Sequence, residues 1–274
     1  MGFISLLCIV FLQNTTLETN RHLLPIAQLP EKLVGMRIAH LSDLHLTQSW
    51  IETDRIIAAV AKTKPDLIVL TGDIIDRSAI VERSDLATLA RQLQHIAPVF
   101  AVSGNHETSS GQLKQWQEVL TSAGVTVLNN RGEIFYYNQQ PLLIVGLANP
   151  YSTDKVKLSN DQKGLTTLLL AHRPEKFERY LTDNADIRPD LVFSGHTHGG
   201  QICLPIIGAI FVPDQALFPK YSAGIYQHPA EKGADGTAEK IHYLVLNRGI
   251  GNTGSAIPLR INSVPEIIVV DLVQ

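Results

Sequence analysis

DLIVLTGD, residues 66–73, decides the fold. Leu67, Ile68, Val69 and Leu70 are apolar without alternation, and Thr71, Gly72 and Asp73 close the run in a polar cluster. A strand with apolar side chains on both faces has to be covered on both. Working outward, the same pattern recurs as RIAHLSD (37–43), PVFAVSGNHE (98–107), TTLLLAH (166–172) and DLVFSGH (190–196). Helix-length segments separate the first three of these: 50–63 with Ile56, Ile57, Val60 and Ala61 at helical spacing, 79–95 with Leu86, Leu89, Ala90 and Leu93, and 111–123 after them. Strand alternating with helix is the mark of βαβ units, so the predicted class is α/β. After about residue 125 strands dominate, as VTVLN, EIFYYN, LLIVGLA, IHYLVLNRGIG and PEIIVVDLVQ, and a second sheet packed on the first is expected. PAEKGADGTAEK (229–240) reads as an exposed loop.

Composition narrows the classes. Of 274 residues 45% are hydrophobic and 18% charged, enough for a sizeable core. The 23 basic and 26 acidic residues leave a net charge of −3. No stable nucleic-acid complex is expected, because such a surface needs clustered lysine and arginine. Only Cys8 and Cys203 are present, which excludes a zinc knuckle or disulfide framework, and both read as buried small apolar side chains. A monomer is expected. The stretch GFISLLCIVFL (2–12) is about half the ~20 residues of a spanning helix and lacks a basic flank before Arg21. It reads as an interfacial anchor, as the tail of a transmembrane segment, or as a buried strand, the first two being preferred. Residues 1–30 are thus taken as an apolar segment with an extended lead-in, and 31–274 as the domain. The location is membrane-associated through that segment, or cytoplasmic.

The chemistry collects where the strands stop. Asp43 and His45 follow the first run, Asp73 the second, Asn105 and His106 the third, His172 the fourth, and His196 and His198 the fifth. In open α/β sheets ligands bind outside the carboxyl ends of strands, so five scattered clusters can converge. Carboxylate, amide and imidazole donors without thiolate suit Mn²⁺, Fe²⁺, Zn²⁺ or Mg²⁺. Seven donors are too many for one tetrahedral ion and suit two, with an aspartate between them. In an extended segment residues i and i+2 face the same way, which would place Asp43 with His45 and His196 with His198. Gly199 and Gly200 would let the chain turn and a substrate approach the backbone.

Each residue alone has a plainer explanation. Asp73 could be a helix N-cap, Asn105 a left-handed turn residue and His172 a core histidine. His40, inside the first run, reads as buried and hydrogen-bonded, and Asp76 as a brace for the loop after Asp73. Arg77, Arg173 and Arg248 could each contact a substrate phosphate, a structural ion pair being the commoner fate of any one. The apolar stretch CLPIIGAIFVPDQALFP (203–219) is either a buried connection or a wall for acyl chains or a membrane.

Together DLH (43–45), GDIID (72–76), GNHE (104–107), AH (171–172) and GHTH (195–198) resemble the signature blocks of the calcineurin-like metallophosphoesterases, in their order. GGQICLP, NRGIG and LRINSVPEI resemble its bacterial YkuE/YaeI-like phosphodiesterase branch. The resemblance implies a four-layer α/β/β/α sandwich of two mixed sheets flanked by helices. It assigns Asp43, His45 and His198 to one metal, Asn105, His172 and His196 to the other, and Asp73 to both. His106 would face the scissile phosphate as proton donor, with Glu107 orienting it, while a hydroxide shared by the two ions attacks phosphorus in line. The implied activity is a dinuclear metal-dependent phosphodiesterase acting on a phosphate ester, lipid-linked substrates included. The alternatives are a UDP-diacylglucosamine-type pyrophosphatase and a catalytically silent scaffold of the same fold.

Overall fold

Strands with two apolar faces find cover here by stacking sheet on sheet and helix on sheet. The structure, a computed structural model, describes every residue except 1, 151–155, 184–186, 205–206, 211, 213–214, 216, 230–239 and 253–258. The chain begins with α1 (Gly2–Thr15), β1 (Glu18–Pro25), β2 (Arg37–Leu41), α2 (Thr53–Thr63), β3 (Leu67–Leu70), α3 (Leu86–Ile96) and β4 (Val99–Ala101). It continues through α4 (Asn105–Ser109), α5 (Leu113–Ser122), β5 (Thr126–Val127), β6 (Arg131–Tyr137), β7 (Gln140–Gly146), β8 (Thr167–Leu170), α6 (Phe177–Thr182) and β9 (Leu191–Ser194). The last strands are β10 (Cys203–Leu204), β11 (Gly208–Ala209), β12 (Gly224–Pro229), β13 (Ile241–Leu246) and β14 (Glu266–Val273).

Two six-stranded mixed sheets result, in the orders β1-β14-β2-β3-β4-β5 and β12-β13-β9-β8-β7-β6. Strands β2 to β5 are parallel, as are β7, β8, β9 and β13. The pleat explains the unbroken apolar runs. In β3, Leu67 and Val69 join the core between the sheets with Phe100, Ile144, Leu168 and Phe193. Ile68 and Leu70 face outward to a second core with Ile56 and Val60 of α2, Leu89 and Leu93 of α3, and Trp116 of α5. Across the second sheet, Val145, Leu169 and Val192 pack against Phe177 and Tyr180. The layers are helix, sheet, sheet, helix, as expected. Each aliphatic or aromatic side chain fully buried there contributes about 1.5–3 kcal/mol.

Several expectations change. Of the three readings of the apolar start the buried strand, the one not preferred, falls away, because Gly2–Thr15 is a helix. The lead-in is extended but belongs to the fold, because β1 pairs with β14 from Glu18 to Pro25. The folded body therefore reaches well before residue 31. VTVLN supplies β5, which extends the first sheet. Cys8 is exposed and Cys203 half-buried, so neither is a core residue. The 229–240 loop lies almost wholly outside the described residues.

His40 is buried, as expected. Its Nε2 lies 2.8 Å from Thr71 Oγ1, and the Phe193 ring meets it edge-on at 5.1 Å. Burial pushes its pKa down to about 3, so it stays neutral in the fold where the unfolded chain takes up a proton. The resulting stability is complete above the unfolded value of ~6.5 and is lost at up to ~1.4 kcal/mol per pH unit as pH falls toward about 3. In urea unfolding of metal-free protein between pH 6.5 and 5, His40→Gln is expected to flatten this slope by about one proton. An unchanged slope would assign the proton uptake to other groups.

Candidate metal centre

Five loops build the site, and they come from two sheets. Those after β2, β3 and β4 leave the first sheet, and those after β8 and β9 leave the second, at the same end of the sandwich. Backbone bonds continue the strand pairing past the strand ends. Asp43 N–H donates to Gly72 O (2.9 Å), His45 N–H to Asp73 O (3.0 Å), and Gly195 N–H to His172 O (3.1 Å).

The backbone then departs from the extended geometry expected of Asp43, His45, His196 and His198. All four, with Asp73, have positive φ, at 49°, 44°, 74°, 50° and 51° respectively. Left-handed backbone is unfavourable for residues with a Cβ, and its concentration here marks a site held by its surroundings. Asp73 is the left-handed residue, not Asn105, which opens the short helix α4. Close approach of the loops needs glycine: a Cβ on Gly195 would sit 1.8 Å from Ser42 Oγ and 2.1 Å from Asp43 Oδ2. Gly199 is also left-handed, but the space it frees is taken by Ser263 and Arg248 and is not open to a substrate.

The side chains converge as electron-pair donors. Asp43, His45 and His198 form one group, and Asp73, His172 and His196 another; Asp73 also groups with His45 and His106. Each aspartate is held by one oxygen and offers the other. Asp43 Oδ2 accepts His196 N–H (2.9 Å), while Oδ1 is buried without a hydrogen bond. Asp73 Oδ1 accepts His106 N–H (2.7 Å), leaving Oδ2 3.2 Å from His172 Nε2. His172 Nδ1 lies 2.8 Å from Thr71 O and so carries its proton toward that carbonyl, which frees the Nε2 lone pair. Nε2 is also 3.0 Å from Asn105 Oδ1. His45 Nε2 and His198 Nε2 approach to 3.2 Å. Donor atoms crowded together in a buried site fit divalent cations.

The electrostatics carry the same signature. Burial opposes the charge on His172, but the Asp73 carboxylate overrides it and raises the imidazole to about 9. Burial would raise Asp73, and the histidines around it, His172 foremost, hold it well below the carboxylate range. Cation binding to these donors therefore displaces protons.

His106 lies beside the donors, its Nε2 3.9 Å from Asp73 Oδ2. Its Nδ1 accepts Arg77 N–H (3.0 Å), so the ring proton sits on Nε2, facing the site. Glu107 does not orient His106 as expected. It accepts four backbone N–H groups, from Asp73 (2.8 Å), Ile74 (2.7 Å), Ile75 (3.1 Å) and Gly104 (2.7 Å), and so shapes the Asp73 loop. Burial, with Asp73 adding to it, pushes its carboxyl up to about 7 against those amides.

Asp76 braces its loop by accepting from Ser78 N–H (2.9 Å). It also places Oδ2 3.2 Å from His106 Nδ1, a contact that spacing did not reveal. Arg248 is not available to a phosphate, being paired at 2.8 Å with both Glu18 and Glu266. Arg173 is held by Asn149 Oδ1 (2.9 Å) and Glu175 (3.4 Å). Sequence reading missed Arg260, fully buried with Nη2 3.0 Å from His198 Nδ1. Its block, LRINSVPEI, was visible, but nothing local linked it to a site about sixty residues earlier.

Residues 36–200 match the Calcineurin-like phosphoesterase family. The chain is 30% identical over 274 aligned residues to the uncharacterized metallophosphoesterase YkuE of Bacillus subtilis, covering 96% of this chain and 87% of that one. It is 30% identical over 261 residues to the phosphodiesterase YaeI of Escherichia coli, covering 93% and 88%. It is 29% identical over 296 residues to the UDP-2,3-diacylglucosamine pyrophosphatase LpxG of Chlamydia muridarum, covering 88% and 85%.

Proposed function

Because the chain belongs to the calcineurin-like phosphoesterase family, and is thereby a metal-dependent phosphoester hydrolase, we propose that it cleaves a phosphodiester with two divalent ions and His106 as proton donor. Asp43, His45 and His198 would hold one ion and Asn105, His172 and His196 the other, with Asp73 shared. The observation carrying this reading is Asp73, whose one oxygen is fixed by an amide while the carboxylate belongs to donor groups on either side. Bound there, two divalent ions supply a nucleophile at neutral pH by lowering the pKa of water, and neutralise the phosphoryl oxygens. Manganese is the first ion to test, since this donor chemistry also accepts iron, zinc and magnesium.

His106 contributes the proton. Burial, with His45 and Arg77 adding to it, holds its pKa below the usual imidazole value, an effect that Asp73 and Asp76 offset only in part. Asp76 Oδ2 lies 3.2 Å from His106 Nδ1 and 3.7 Å from His45 Nδ1. When Nδ1 takes up a second ring proton in place of the Arg77 N–H, that carboxylate is the acceptor within reach, and the Nε2–H of the imidazolium protonates the leaving oxygen.

The YaeI relation favours the diester. A lipid-linked pyrophosphate is the second reading, favoured by exposed Leu204, Ile207, Leu217 and Phe218 on the stretch following His198. Those residues argue against a wholly buried connection. The same surface chemistry supports an interfacial role for α1, where Phe11 and Leu12 are 58% and 59% exposed. Among the described residues no helix is long and apolar enough to cross a membrane.

The test is hydrolysis of bis-nitrophenyl phosphate against nitrophenyl phosphate, with Mn²⁺ and with EDTA. Chelator-sensitive cleavage favouring the diester is expected. Absence of cleavage by protein holding two ions would overturn the diester reading and make a UDP-linked acyl sugar the next substrate.

A further inference from the structure

A fully buried guanidinium has no part in the chemistry above. Removing a charge from water costs several kcal/mol unless its surroundings compensate, and Arg260 is 0% exposed. Its N–H groups reach Arg248 O (2.9 Å), Gly251 O (2.5 and 3.2 Å), Ser263 O (3.4 Å) and His198 O (3.4 Å), and Nη2 lies 3.0 Å from His198 Nδ1. Gly251 N–H in turn donates to Asp43 O (2.8 Å), as Ile250 N–H does (3.1 Å). Arg260 therefore braces the backbone of two of the three residues assigned to one ion, His198 at its carbonyl oxygen and Asp43 through the 250–251 segment.

The other side of Arg260 is fastened to the N-terminal helix. Asn14, in the last turn of α1 and 1% exposed, accepts Arg260 N–H with Oδ1 (2.8 Å) and donates Nδ2–H to Arg260 O (2.9 Å). Gln13 does the same one step along, accepting Asn262 N–H (3.0 Å) and donating to Asn262 Oδ1 (3.1 Å). Of the residues assigned to the other ion, His172 donates Nδ1–H to Thr71 O and meets Asn105 Oδ1 away from this clamp, and His196 touches it through its N–H on Asp43 Oδ2.

We infer that Asn14 and Arg260 form a positioning clamp through which the seating of α1 controls occupancy of the ion held by Asp43, His45 and His198. The inference rests on the two-ion reading and deepens it: the apolar N-terminal helix is a working part of the metal centre as well as a surface anchor. Whatever unseats α1 would empty one ion position before the other.

The test titrates Mn²⁺ into the metal-free full-length protein, followed by calorimetry and by electron paramagnetic resonance. The unaltered protein is expected to take two ions and give a spin-coupled signal. Asn14→Ala is expected to weaken one ion about 10- to 100-fold, the range for lost outer partners of a metal ligand, and to show a mononuclear signal where the unaltered protein is coupled. Arg260→Lys, which keeps the charge and the backbone contacts to Asn14, is expected to do the same and carries the test should Asn14→Ala not fold. Unaltered binding of both ions in the variants would overturn the clamp, as would equal weakening of both alongside a lowered melting temperature. Fewer than two ions in the unaltered protein would instead overturn the dinuclear reading.

Discussion

His106→Ala is expected to keep both ions and lose about 10²- to 10⁴-fold in kcat toward a diester with an alkoxide leaving group, the usual contribution of a positioned acid. The substitution leaves the backbone N–H that donates to Asp73 Oδ1, so the shared carboxylate stays in place. It removes only the imidazole, whose Nε2 proton faces the site because Nδ1 is taken by Arg77 N–H. The diagnostic quantity is the dependence on leaving group. Nitrophenolate departs without a proton, so the defect should shrink for nitrophenyl esters and be largest for alkyl esters. Metal content measured on the same samples separates a chemical defect from a binding one. An equal loss across leaving groups would remove His106 from the proton-donor role and leave it a charge or packing role beside Asp73.

Much of this centre was legible because apolar runs and polar run-ends are local signals. DLIVLTGD places β3 by composition alone, and the histidine, aspartate and asparagine clusters mark where each strand gives out. What stayed hidden depends on contacts between distant segments. Nothing in PEIIVVDLVQ says that β14 lies between β1 and β2, antiparallel to one and parallel to the other. Two sheets were expected, but which run belongs to which was equally hidden, and three of the five run-ends leave one sheet and two the other. Asp43 and His45, read as neighbours on an extended strand, do come together, but by a different geometry. Their shared direction comes from two left-handed residues held by the β3 loop and Gly195, and left-handed backbone at aspartate or histidine leaves no mark in composition. Glu107 was read through its neighbour His106, whereas its partners are amides about thirty residues earlier. Arg260 was hidden most completely, since a charged residue in a polar segment reads as surface.

The largest loss is expected from Asp73→Asn, and the reason lies in how the carboxylate is shared. Oδ1 already accepts the His106 amide at 2.7 Å, so the asparagine must keep its oxygen there or set two N–H groups against each other. Its NH₂ then takes the place of Oδ2, 3.2 Å from His172 Nε2, and offers hydrogens where electron pairs converged. One change thus removes negative charge from both ion positions and blocks a lone pair of a third donor. Both ions should be lost at micromolar metal, and turnover should fall by more than the ~100-fold that loss of an outer partner alone can reach. His196→Ala should spare the ion held by Asp43, His45 and His198, so the two variants differ in stoichiometry and not only in rate. Because asparagine matches aspartate in shape, the fold should persist, and in metal-free protein His172 should no longer hold its proton to about pH 9 once the carboxylate that raised it is gone. Proton NMR of the imidazole reads that change without any metal present. Intact metal content and turnover in Asp73→Asn would dismantle the two-ion assignment at its centre, whereas a lowered His172 pKa with both ions lost would place the shared charge where the geometry puts it.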